Sequence, residues 1–168
     1  MRRAVALAAC SGALAAPAPA TAQTAITGTP QSLFTKKIAS DPGTAADVRA
    51  ALKARRVFVD EDIAFADVTG DGRQDAVVRI DSGGAGGTIA VYVYSAHGGK
   101  DLHAIYRSQH LYRALVAVNG ATLLLSTPRY SAGDEICCPP ALLERTLTWS
   151  ERAGRLVLRA TRSVPPPM

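Results

Sequence analysis

Val116-Ala-Val-Asn119-Gly120-Ala-Thr-Leu-Leu-Leu125 is the stretch on which the fold turns. Two short apolar runs flank Asn-Gly, the dipeptide best able to adopt the positive φ angles of a type I′ turn, whose twist matches that of an antiparallel strand pair. The stretch predicts a hairpin with Val118 opposite Ala121 and Val116 opposite Leu123. Comparable β-rich runs, bounded by Gly, Asp, Asn and Ser, lie at 63–67, 75–80, 88–95, 102–107, 112–118, 121–127, 142–149 and 156–161. That spacing argues for an antiparallel sheet. Ile89, Val91 and Val93 alternate with Ala90, Tyr92 and Tyr94, so both faces of this run are apolar, as in a central strand covered on two sides. Upstream, Thr44-Ala-Ala-Asp47 resembles a capping box with Asp in the glutamate place, and Val48, Ala51 and Leu52 recur on one face through Arg56. The expected fold is mainly β, an antiparallel meander sheet or small sandwich with one N-terminal helix.

The chain opens with Arg2 and Arg3, an alanine-rich apolar run and small residues ending at Ala20-Thr21-Ala22, the pattern of a secretory signal peptide. Cleavage is expected after Ala22, or alternatively after Ala20. Pro17 and Pro19 interrupt a run already shorter than the roughly 20 apolar residues a spanning helix needs, so no transmembrane segment is expected. A competing reading is a lipobox, Leu7-Ala-Ala-Cys10-Ser-Gly12, with Cys10 as the lipidated residue. The organisation that follows is a signal peptide at 1–22, a flexible leader at 23–42 that docks once through Leu33, Phe34 and Ile38, a single β-rich domain with its helix at 43–163, and a tail at 164–168. The protein is expected in the periplasm or secreted, as a monomer.

The whole sequence carries 19 basic and 14 acidic residues; without Arg2 and Arg3, 17 remain against 14, a net charge of +3. That is too slight for a polyanion binder, and few aromatics accompany the arginines, so nucleic acid is not an expected partner. Arginines gather in the second half, at 107, 113, 129, 145, 152, 155, 159 and 162. They read either as solvated strand faces with cross-strand ion pairs or as a contact for an anionic envelope surface.

Asp67-Val-Thr69-Gly-Asp71-Gly72-Arg73-Gln-Asp75 places carboxylates at positions one, five and nine of a glycine turn, with Thr69 at three, the ligand pattern of a calcium loop. Position twelve of a helix-loop-helix site would be a bidentate Glu, but Val78 stands there inside a strand pattern, which excludes the helical version. The ligand set is instead the Asp67, Asp71 and Asp75 carboxylates, the Thr69 hydroxyl or a water, and the Arg73 carbonyl. Residues 65–78 resemble the FG-GAP and VCBS type of secreted β repeat, in which an Asp-x-Asn/Asp-Gly-Asp-Gly-x-x-Asp loop joins two strands and binds calcium. Thr69 replaces the usual Asn or Asp of that pattern. The resemblance implies calcium binding; with one charge-bearing or amide ligand missing, the expected affinity is in the weak extracellular range of roughly 0.1–1 mM. The alternative is a hairpin held by Asx turns without a metal.

Tyr130-Ser-Ala-Gly-Asp-Glu-Ile-Cys137-Cys138-Pro-Pro140 holds the two cysteines that remain after processing. Adjacent cysteines cannot join distant segments of one chain. They form a vicinal disulfide or loop lock, stay as thiols, link two chains, or hold a soft metal such as zinc or copper. The Gly133-Asp134-x-x-Cys-Cys-Pro arrangement, downstream of an Asp-rich loop, resembles a group of uncharacterised secreted bacterial proteins with that signature, over about residues 65–149. This resemblance implies residence outside the cytoplasm and no particular activity.

Nothing in the sequence assembles a catalytic set. Asp81-Ser-Gly-Gly-Ala-Gly-Gly-Thr88 lacks the Gly-Lys-Ser/Thr ending of a phosphate loop and leads into a strand. No Gly-x-Ser-x-Gly elbow is present, and His97, His103 and His110 show no helical metal-ligand spacing. The sequence reads as an exported, non-catalytic binding or structural domain for an unidentified envelope component, with a calcium loop. Its rival is a periplasmic redox or soft-metal protein built on Cys137 and Cys138.

Overall fold

The computed structural model describes residues 28–167. The signal peptide, its cleavage positions and Cys10 lie outside these residues. Two helices, α1 (Pro30–Ser40) and α2 (Ala46–Lys53), precede nine strands. The first sheet contains β1 (Phe58–Val59), β2 (Ala64–Ala66), β3 (Asp75–Asp81), β4 (Thr88–Ser95) and β5 (His103–Ser108); the second contains β6 (Leu115–Asn119), β7 (Thr122–Arg129), β8 (Ala141–Ser150) and β9 (Arg155–Val164). All pairings are antiparallel. The second sheet is a simple meander, whereas β1 and β2 share one edge of β3, at its C-terminal and N-terminal ends respectively.

The period-two pattern of β4 explains the layering. Ala90, Tyr92 and Tyr94, with Ala76, Val78 and Ile80 of β3, face the two helices, while Val77, Val91 and Val93 face the second sheet and meet Leu123, Leu125, Leu147 and Leu156. The first sheet is thus buried on both sides, as the double alternation of residues 89–94 anticipates. A helical layer, a five-stranded sheet and a four-stranded sheet stack in that order.

The segment expected as a flexible leader holds a helix of its own. Thr29 caps α1, its Oγ1 accepting from Ser32 N at 3.2 Å, and Pro30 stands at the first helical position, where its missing N–H costs nothing. Phe34 and Ile38 are buried against the sheet, and Phe34 lies 5.3 Å from Tyr94 between ring centroids. Burying two such side chains contributes about 1.5–3 kcal/mol each, which binds α1 into the domain.

The capping box at Thr44 does not form. Ala45 takes the N-cap place with no side-chain cap, and its N–H donates instead to Gln109 Oε1 at 2.7 Å. Gln109 also accepts from the Tyr92 hydroxyl at 2.9 Å and donates to Gly43 O at 3.1 Å. A distant side chain supplies what a local cap would have supplied, and so fixes the helical layer to the sheet.

The hairpin at Asn119-Gly120 forms, with a different register. Val118 faces Leu123, Val116 faces Leu125 and Asn119 faces Thr122, leaving Gly120 and Ala121 as the turn. Of these two turn residues Gly120 alone has positive φ, +55°, so the turn is not type I′, which needs positive φ at both central residues. The pairing has slid by two residues along β7. Because side chains alternate with period two, Leu123 and Leu125 stay on the same face and the apolar match survives the slide.

Candidate functional site

Loop 67–75 joins β2 to β3 and coils tightly because Gly70 and Gly72 adopt φ of +79° and +81°. Asp67 serves as the hub. Its Oδ1 accepts from the N–H groups of Gly70 and Asp71 at 2.6 and 3.1 Å, and its Oδ2 from Gly72 N–H at 2.9 Å. Thr69 Oγ1 lies 3.4 Å from Asp67 Oδ1. Asp75, only 1% exposed, accepts on Oδ2 from the N–H groups of Val68 and Thr69 at 2.9 and 3.0 Å. Two amide donors compensate a carboxylate that would otherwise be costly to bury.

Asp71 is turned toward Arg73 and His97. Its Oδ1 accepts from Arg73 N–H at 2.9 Å, and its Oδ2 meets the Arg73 guanidinium at 3.2 Å and His97 Nδ1 at 3.1 Å. The Arg73 amide, followed by the Arg73 and His97 side chains, holds the Asp71 carboxyl below the usual carboxylate value. Arg73 also reaches the turn after β4, donating to Gly99 O at 3.0 Å and to Ala96 O. The loop therefore places all five expected ligand residues on one turn, with its carboxylates engaged by backbone amides, by the Arg73 guanidinium and by the His97 ring.

The second cluster lies in the loop between β7 and β8. Gly133, at φ +94°, and Asp134, whose N–H donates to Ser131 O at 3.2 Å while its Oδ2 accepts from Ser131 N–H, turn the chain back. Cys138 N–H then closes a further turn on Glu135 O at 3.1 Å. The two sulfurs stand 2.6 Å apart as free cysteines, and Cys137 Sγ lies 3.4 Å from Glu135 Oε2. Cys138 first and Glu135 second push the Cys137 thiol up, since both favour its protonated form. Among the described residues, three His, Cys, Asp or Glu donor atoms come within 4.8 Å of one another at Glu135, Cys137 and Cys138, and not at Asp67, Asp71 and Asp75.

Cys137 also lines an open cleft of about 930 Å³ with Tyr112, Leu115, Ile136, Pro139 and Asp81. Arg113, held at φ +47°, anchors this wall by donating to the carbonyls of Ile136 and Cys137 at 2.8 and 3.4 Å. Burial, followed by the neighbouring carboxylate of Asp60, pushes the Asp81 carboxyl up.

Reading the sequence did not single out Glu135, weighed His97 only as a metal ligand, and placed Arg113 only among the clustered arginines. Glu135 stands two residues before Cys137, a spacing that carries meaning only once the turn at 135–138 is known. His97 and Arg113 act across 26 and 23 residues of chain, with no local signal. Of the clustered arginines, Arg162 pairs with Glu144 on the adjacent strand at 2.7 Å and Arg107 pairs with Asp41 at 2.8 Å. No helix among the described residues is long and apolar enough to cross a membrane. No family model, curated protein or solved structure matches the chain.

Proposed function

We propose that the protein is an exported, non-catalytic envelope domain, binding or structural in role, whose loop 67–75 takes calcium weakly. The observation that carries this reading is the state of Asp71, whose carboxylate already draws in the Arg73 guanidinium and the His97 imidazole. An acidic turn that recruits positive charge from its surroundings is one that an external cation can serve, provided it displaces those partners. That exchange accounts for weak affinity: calcium gains Asp71 only as Arg73 and His97 lose it. Gly72 supplies the positive φ that the sixth place of a calcium loop needs, and the Arg73 carbonyl stands at the seventh. Bound calcium stabilises the folded state by about 0.4 kcal/mol at a free concentration equal to Kd, and by about 2.7 kcal/mol at 100 times Kd.

The test is thermal unfolding in chelator and across a calcium series to several millimolar, for the native sequence and for Asp71→Ala. A saturable rise in midpoint with calcium, absent with magnesium and absent in the variant, is expected. A flat series would reduce the loop to an Asx-stapled hairpin. A second reading, redox or soft-metal chemistry at Cys137 and Cys138, is favoured by one observation: the Glu135 carboxylate lies beside both sulfurs, within 4.8 Å.

A further inference from the structure

We infer that Glu135, Cys137 and Cys138 form a site for a zinc-like divalent d10 ion, bound by two thiolates and one carboxylate with a fourth position open to solvent. This rests on the second reading above, that the cysteine pair is chemically active, and is independent of the calcium loop.

The backbone prepares the site before any ion arrives. The turn closed by Cys138 N–H on Glu135 O brings side chains two and three residues apart to one point. That turn is gripped from outside, because the Ile136 carbonyl accepts from both Arg113 Nη1 at 2.8 Å and the Tyr130 hydroxyl at 2.7 Å. Arg113 is thereby engaged with carbonyl oxygens, and among the described residues the carboxylate and sulfurs have no cationic hydrogen-bond partner. All three donor residues are exposed, so an ion has a path to them.

Donor chemistry selects the ion. Calcium takes six to eight oxygens and has no use for sulfur, whereas two thiolates with one carboxylate suit zinc. Monovalent copper would be satisfied by sulfur alone. Zn–S and Zn–O distances of about 2.3 and 2.0 Å set tetrahedral donors roughly 3.5–3.8 Å apart. The Cys137 Sγ to Glu135 Oε2 separation, 3.4 Å, is nearly there already. The sulfurs, at 2.6 Å, must separate by about 1 Å, a side-chain rotation that exposed residues make without moving the backbone. Binding releases one proton from each thiol to solvent and transfers no electrons. Water or a ligand donor would complete the tetrahedron, and Cys137 itself lines the open cleft of about 930 Å³.

The full chain, reduced and kept anaerobic, is titrated with Co²⁺ and then Zn²⁺, each as the metal alone. One ion per chain is expected, with sulfur-to-cobalt charge-transfer absorption and tetrahedral visible bands that Zn²⁺ bleaches. Cys137→Ser and Cys138→Ser should each remove that absorption, Glu135→Gln should weaken binding about 10-fold or more, and Asp71→Ala should change nothing. Circular dichroism of each variant establishes that it folds. Equal uptake by a Cys137→Ser/Cys138→Ser double variant overturns the site, as does half an ion per chain or a Glu135→Gln variant that binds like the native sequence. A thiol reagent separates two kinds of failure. Sulfurs that react readily but bind no ion overturn the ion site alone, whereas sulfurs inert to both also overturn the reading of the cysteine pair as active.

Discussion

His97 and Asp71 face each other between two turns: Nδ1 of the imidazole lies 3.1 Å from Asp71 Oδ2, while its Nε2 lies 3.3 Å from Glu151 Oε2, in the turn between β8 and β9. One ring thus joins the acidic loop of the first sheet to the end of the second. The same ring packs edge-on against Trp149 with centroids 4.9 Å apart, and Trp149 Nε1 donates to Glu151 at 2.7 Å. Trp149 is the chain's one tryptophan. A cation that draws the Asp71 carboxylate toward itself loosens its hold on His97, and the ring transmits that change to the indole. Calcium added to the native sequence is expected to alter Trp149 emission over the concentration range in which the unfolding midpoint rises. In His97→Ala the midpoint should still rise and the emission should stay constant. A native emission that ignores calcium while the midpoint climbs would refute the coupling.

Asp41 and Arg107 join the helical layer to β5 by a two-pronged pair, Nε to Oδ2 at 2.8 Å and Nη2 to Oδ1 at 3.0 Å, and Gly43 N–H adds a bond to Oδ1 at 2.8 Å. Burial pushes the Asp41 carboxyl up, but the Arg107 fork and the Gly43 amide outweigh it and hold the group below its ordinary value of 3.8. A carboxyl whose pKa is lower in the folded state binds its proton more readily when unfolded, so its contribution is present above about pH 4 and lost as pH falls through the folded value. Asp41→Asn should cost about 1.5–3 kcal/mol at neutral pH. Urea midpoints should show that difference narrowing from about pH 4 downward; a difference as large at pH 2 as at pH 7 would mean that the charge contributes nothing.

Phe34 tests whether α1 belongs to the folded unit. It is 2% exposed and packs with Ile38, Tyr92 and Tyr94 in the cluster between helices and sheet. Phe34→Ala should destabilise the protein by about 3–5 kcal/mol, the range for deleting a buried aromatic ring. A loss under about 0.5 kcal/mol, within the range of surface substitutions, would return 30–40 to the status of a dispensable leader.

The strands were legible because period-two alternation is a local property: residues 88–95 could be read as a strand covered on both faces, and they form β4 between helices and second sheet. Helix α1 was obscured because Thr, Pro, Gly and Ser dominate its approach, although Thr29-Pro30 is a sound helix start and Phe34 and Ile38 lie one turn apart. The cap of α2 was unreadable in principle, its acceptor being Gln109, 64 residues away. At the acidic loop, residue types and glycine places were legible, but the turning of Asp71 toward Arg73 and His97 depends on where the turn after β4 arrives. At the cysteine loop, Glu135 was visible in the sequence and its approach to both sulfurs was not, since that follows from the turn at 135–138.

The turn at residues 119–122 offers a direct test of register. A type I′ turn on Asn119-Gly120 would require positive φ at both residues. Here Asn119 ends β6 opposite Thr122 and Gly120 alone is positive, at +55°, with nothing within 4 Å of where its Cβ would stand. Asn119→Ala should therefore lie within about 0.5 kcal/mol of the native sequence. Gly120→Ala should cost about 1–2 kcal/mol from backbone conformation alone, because no neighbour obstructs the new methyl group. Both are read from urea unfolding followed by Trp149 emission. Comparable losses in the two variants would place the turn on Asn119-Gly120 and return Val118 to its pairing with Ala121, whereas a loss confined to Gly120 fixes Val118 opposite Leu123.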